Sequence, residues 1–177
     1  MLAVVKRSVM IVSNTTPLNY LILIECVEIL PSLYGEVVIP EAVFLELQHY
    51  KTPVVVREWI KKPPPWLIIR QLAEKPDEAL QQLQIGEAQA IALAGELAAK
   101  AIIPKAVILD DRAAREEAIR RGMTVFGTLR VIYEGALAEL CDLPAAFERL
   151  RQTNFRASAV LFNHFQKLNE QRQKAST

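Results

Sequence analysis

Five oxygen-bearing side chains fall where a metal-assisted reaction needs them. Asn14 follows a short apolar run. Glu46 lies on the helix after a second run, and Glu87 opens a long helix. Asp110 and Asp111 follow a third run, AVIL (106–109). A divalent magnesium or manganese ion takes oxygen donors of this kind. Several carboxylates in one cleft repel one another unless a cation offsets them. Asn14, Glu46, Glu87, Asp110 and Asp111 are therefore the candidate metal ligands. Read singly, each has a plainer explanation. Asp110 and Asp111 suit a helix N-cap, Glu87 decorates a first turn, Glu46 is a solvated helix residue, and Asn14 is a turn or cap.

Elements that bring these groups together must put them at one end of a sheet. The runs VMIV (9–12), GEVVI (35–39), AVIL (106–109) and TVFG (124–127) are short and wholly or largely apolar, as strands buried on both faces are. Residues 67–69 are a candidate edge strand after the proline run 63–65. Helical spacing fills the intervals. A largely buried helix is expected over 18–30, ended by Pro31, then one over 41–50 with Val43, Phe44 and Leu47 inward. Another follows Pro53. The stretch from Gly86 carries Ile91, Ala94, Leu97 and Ala98 on its inner face, before a linker ending at Pro104. Residues 112–121 turn Ala114, Ala118 and Ile119 inward. Thr128 is expected to cap a helix over 129–138, Leu143-Pro144 to start another, and 157–171 to be helical with Val160, Leu161, Phe165 and Leu168 apolar. The segment 76–84 suits a short helix or lid. Strands alternating with helices predict an α/β protein, a three-layer α/β/α sandwich around a mostly parallel sheet. Ligands of such sheets bind at the carboxyl ends of the strands.

The totals agree with one domain. The chain has 177 residues, about half of them apolar, and a net charge of +1, so any nucleic-acid surface must be local. We expect a domain over 1–152, a helix over 153–172 on the same domain, and a disordered tail at 173–177. Cys26 and Cys141 show no framework spacing and are expected to be reduced and inert. With no signal peptide evident and the most apolar segment too short to span a bilayer, a cytoplasmic protein without a membrane partner is expected.

In SNTTPLNYL (13–21), VVIPEAVFLEL (37–47), GEAQAIALA (86–94), ILDDRAAR (108–115) and GTLRVIYEG (127–135), the sequence resembles the PIN-domain family, including its VapC-type toxins. NFRAS (154–158) is similar to the tail of one subgroup. The resemblance implies a nuclease that hydrolyses RNA phosphodiester bonds, single-stranded RNA above all, with carboxylate-held magnesium or manganese. Toxin members pair with a small antitoxin protein, and a homodimer is a further expected partner.

Carried over by position, Glu46, Glu87 and Asp111 match family acids, with Asp110 an additional neighbour. Thr16 matches a small hydroxyl that orients a ligand or water. Arg112 and Arg115, just after the acids, are placed to meet phosphate oxygens. Asn14 stands where the family has an aspartate. Its amide oxygen can ligate a metal but brings no charge, and a unit charge at about 4 Å is worth ~4 kcal/mol at a surface dielectric. The same pattern therefore admits a second function, a catalytically impaired module that binds nucleic acid or protein. Receiver and aspartyl-phosphatase folds fit less well, because both need an aspartate where Asn14 stands. Trp59 and Trp66, flanking Lys61, Lys62 and the prolines, suit either ordinary packing or a partner surface.

Overall fold

A computed structural model describes residues 10–102 and 105–175. Five parallel strands form one sheet: β1 (Ile11–Ser13), β2 (Val37–Pro40), β3 (Leu67–Arg70), β4 (Ala106–Ile108) and β5 (Thr124–Phe126), in the order β3-β2-β1-β4-β5. Val12 pairs with Val38 on one side and Val107 on the other. The candidate strand at 67–69 is the edge strand β3, in register with β2 from Val37–Leu67 to Pro40–Arg70.

Strand periodicity explains the layers. Ile11, Val37, Ile39, Ala106 and Ile108 point into one core. Val12, Val38, Val107 and Leu109 alternate with them and point into the other. The second core is covered by α5 (Ile85–Ala99) and α6 (Arg112–Arg120), the first by α1 (Thr15–Leu23), α2 (Ile29–Tyr34), α3 (Glu41–Gln48), α4 (Val54–Ile60), α7 (Thr128–Leu137), α8 (Leu143–Arg151) and α9 (Ala159–Ala175). This is the expected α/β/α sandwich. Strand order reverses at β1 and β4, so the crevice for a ligand opens at their carboxyl ends, beside Asn14 and Asp110-Asp111.

Several expectations need correcting. Residues 18–30 are not one helix ended by Pro31. α1 closes after Leu23 in a Schellman turn, with Cys26 N–H donating to Leu21 (2.8 Å) and Glu25 N–H to Ile22 (3.1 Å). Glu25 holds the left-handed conformation, φ 58°, that glycine usually takes. Pro31 then lies in the first turn of α2, where its missing N–H has no helical partner to lose. Ile119 is exposed, because the inner face of α6 is Ala114, Glu117 and Ala118. Glu117 is covered by ion pairs to Arg120 and Arg121. On α9, Val160 and Leu161 are exposed and Phe162 packs in, against Phe147 at 5.1 Å.

Thr128 is the first residue of α7 and not its cap, which is Gly127. α9 runs on to Ala175, past the point where a disordered tail is expected. The expected features at Val9 and Pro104 fall outside the described residues, as do 176–177. The segment 76–84 contains only a short 3-10 turn, Leu80–Gln82. Trp59 and Trp66 lie 5.8 Å apart and pack, half-buried, on the first core. Both cysteines are free, and burial pushes the Cys141 thiol up to about 11. No described helix is long and apolar enough to cross a membrane.

Candidate functional site

β1 ends at Ser13, and Asn14 takes the N-cap position of α1. A residue there ordinarily turns its side-chain oxygen back onto the helix. Asn14 does not: its Oδ1 is buried and, among the described residues, accepts no hydrogen bond. Its backbone N–H donates to Ile108 across the β1–β4 seam, 3.3 Å away, so the side chain is fixed at the switch point. An unpartnered buried oxygen costs roughly 1–3 kcal/mol. It is the kind of orphan that a cation would satisfy.

Glu46 reaches the same end from α3. Its carboxylate accepts from the Gly86 N–H (3.1 Å) and from the Thr15 hydroxyl. The approach to Gly86 is so close that a Cβ there would lie 2.8 Å from both carboxylate oxygens. Glycine at the second position of α5 is therefore a requirement of Glu46. Glu87, one residue on, is buried. It closes a capping box with Gln84, whose N–H donates to Glu87 at 3.3 Å. Burial raises the Glu87 carboxyl above the ordinary range, and the charges of Asp111 and Glu46 raise it further. Three acids from three elements thus share one electrostatic neighbourhood.

Asp110 and Asp111 part company. Asp111 caps α6, its Oδ1 accepting from the Ala114 N–H at 2.9 Å, and it acts on Glu87. Asp110 faces α7, where its two oxygens accept from the Thr128 N–H (2.8 Å) and hydroxyl (2.6 Å). Burial pushes the Asp110 carboxyl up, and the Thr128 hydrogen bonds and neighbouring Arg115 draw it back. Arg115 also faces this side, donating to the Leu109 carbonyl at 2.9 Å. Arg112 points to solvent and pairs with Glu116 at 2.8 Å. Thr16 is half-buried in α1, while the hydroxyl that meets Glu46 belongs to Thr15.

The structure therefore draws Asn14, Glu46, Glu87 and Asp111 to one crevice and sends Asp110 to its flank. Among the described residues, no three or more histidine, cysteine or acidic side chains stand together in metal-holding geometry. Each acid accepts from a backbone N–H or a hydroxyl. The chemistry of the set fits a hard divalent cation: one orphaned amide oxygen and three carboxylates, one of them raised by burial and by the other two.

Thr15, Gly86 and Thr128 are site residues that sequence reasoning misses. The first two had a signal, in the hydroxyl directly after Asn14 and the glycine directly before Glu87. No curated protein and no solved structure gives a significant match to the chain. A PIN-domain family model matches residues 10–171, which takes in every strand of the sheet and every acid of the crevice. On that match, together with the parallel α/β/α fold, the chain belongs to the PIN-domain family.

Proposed function

We propose that the protein is a metal-dependent ribonuclease that hydrolyses phosphodiester bonds of single-stranded RNA. The observation that carries this reading is the buried, unpartnered Oδ1 of Asn14 at the switch point of the sheet, next in sequence to Thr15, whose hydroxyl donates to Glu46, with Glu46, Glu87 and Asp111 in one electrostatic neighbourhood. Asn14, Glu46, Glu87 and Asp111 would hold magnesium or manganese. The cation would supply Lewis acidity, lowering the pKa of an attacking water and steadying the charge that builds on phosphorus. One of the carboxylates would accept the proton that water gives up. Thr15 and the Gly86 N–H hold Glu46 in place. Arg115 lies on the flank where phosphate oxygens pass. By analogy with the family's toxins, a small antitoxin protein and a second copy of the chain are the partners to test.

One observation favours a second reading, a nucleic-acid- or protein-binding module. Asn14 brings no charge, and each acid already has a donor of its own. A single comparison separates the two. The protein, Asn14→Asp and Asp111→Asn are incubated with mixed-sequence single-stranded RNA, with manganese and with chelator. Cleavage by the parent that chelator stops and Asp111→Asn abolishes supports the nuclease. Cleavage by Asn14→Asp alone supports the binding module, and none by any of them refutes the nuclease reading.

A further inference from the structure

Beyond Asp110, on the far side of the strand end from Glu87, lies a cavity of about 280 Å³. Its wall combines two chemistries. Three guanidiniums come from three separate places: Arg115 on α6, Arg130 on α7 and Arg156 on the segment before α9. Two aromatic rings, Phe155 and Phe165, make up much of the apolar side. Asp110 is the one acid among the described residues of the wall, and both of its oxygens already accept from Thr128.

The guanidiniums are held to different degrees. Arg115 is tied to the Leu109 carbonyl at 2.9 Å. Arg130 pairs with Glu134 at 2.8 Å and lies 4.4 Å over the Phe126 ring. Arg156 makes no hydrogen bond or ion pair with the other described residues, so its fork is free to take a ligand. Phe155 is fixed by Tyr20, ring to ring at 4.9 Å, and Phe165 by Tyr133 at 5.2 Å. Gly127 lets the wall close: a Cβ there would meet Arg115 at 2.9 Å.

A guanidinium fork suits phosphate oxygens, and a fixed aromatic ring suits the face of a base. Both on one wall describe a nucleotide. The volume lies at the small end of ligand sites, room for one unit of a strand and not for a stacked duplex step. Unpaired bases are the ones that can turn into such a pocket. We infer that this cavity binds one nucleotide of single-stranded RNA, its base against Phe155 and Phe165 and its phosphate on Arg156 and Arg115. The inference rests on the RNA reading above and names where the strand is gripped. Asp110 lines the cavity and its neighbour Asp111 acts on Glu87. A strand passing over this peptide therefore has one nucleotide in the cavity and the next phosphate towards the acids.

The test titrates the 177-residue chain with adenosine and uridine 5′-monophosphates and with inorganic phosphate, in chelator, by calorimetry. The nucleotides are expected to bind at least tenfold tighter than phosphate. Arg156→Ala should weaken them about tenfold, and Leu161→Trp, which fills the cavity, should abolish binding. Lys100→Ala, at the far end of α5, should change nothing. Both altered cavity residues are exposed, and matched thermal melts check their folding; should Leu161→Trp fail to fold, Arg156→Ala decides. Absence of saturable nucleotide binding, equal affinity for phosphate, or unchanged binding in Arg156→Ala overturns the inference. RNA cleavage separates the two proposals. Nucleotide binding without any metal-dependent cleavage keeps the cavity and removes the ribonuclease. Cleavage with KM unchanged in both variants keeps the ribonuclease and removes the cavity.

Discussion

Asn14→Asp tests the crevice through folding alone, without any substrate. Position 14 is 3% exposed. In chelator, a carboxylate there must shed its water and adds a charge at the strand end where burial, Asp111 and Glu46 already push Glu87 up. A buried acid among like charges rises by roughly 2–3 units, which at ~1.4 kcal/mol per unit is about 3–4 kcal/mol. For a chain of this size one kcal/mol moves the melting temperature by about 2–4 °C, so the variant should melt roughly 6–16 °C below the parent at pH 7. The introduced acid has a folded pKa above its unfolded value of ~3.9, so the folded state is the tighter proton binder. The penalty is therefore absent below pH ~4 and grows as pH rises, reaching its full size above the folded pKa. A cation that finds the fourth charge offsets most of it, since a ligand at 100 times its Kd returns ~2.7 kcal/mol. Circular dichroism melts at pH 4 and pH 7, with chelator and with manganese, read all of this. Equal melting of parent and variant at pH 7 in chelator would refute the reasoning. So would manganese that raises the variant no more than the parent.

Two further outcomes follow from the hydrogen bonds. Glu87→Gln keeps an acceptor for the Gln84 N–H but removes the raised carboxyl. In chelator it should be more stable than the parent at pH 7, and the gap should close as pH falls below the unfolded carboxylate range, near ~4.3; urea midpoints at two pH values check this. Thr128→Val removes the 2.6 Å hydroxyl bond to Asp110 and should cost about 2 kcal/mol, as bonds to charged groups do. Thr128→Ser should stay near the parent, both read as urea midpoints at constant m.

Much of the scaffold is legible in the sequence. VVIP and AVI are apolar at every position because both faces of a central parallel strand are covered, and Glu46, Glu87 and Asp111 sit where the chain leaves or re-enters the crevice. Less legible are the features set by geometry between distant segments. The break after α1 carries no glycine, since Glu25 takes the left-handed turn and its neighbours' backbone bonds hold it there. Ile119 and Val160 are apolar yet exposed, because a small helix face needs only alanines or a single Phe to seat it. The divergence of Asp110 from Asp111 depends on Thr128, eighteen positions later, and no local pattern encodes it. The arginine-lined cavity is hidden for the same reason: its cations come from three elements, each of which reads alone as a solvated helix face or a linker.

The seam between β1 and β4 also has a consequence in time. Val12 pairs with Val107, so the centre of the sheet joins the two strands that lie furthest apart among the first four. Contacts of such long sequence separation form late, because the loop between them must be ordered first. Asn14, Glu46 and Glu87 are all made before Asp111 leaves the ribosome, yet the crevice has no second wall until β4 docks. On the ribonuclease proposed above, a nascent chain is inert by its order of synthesis and becomes competent only when most of its length has been made.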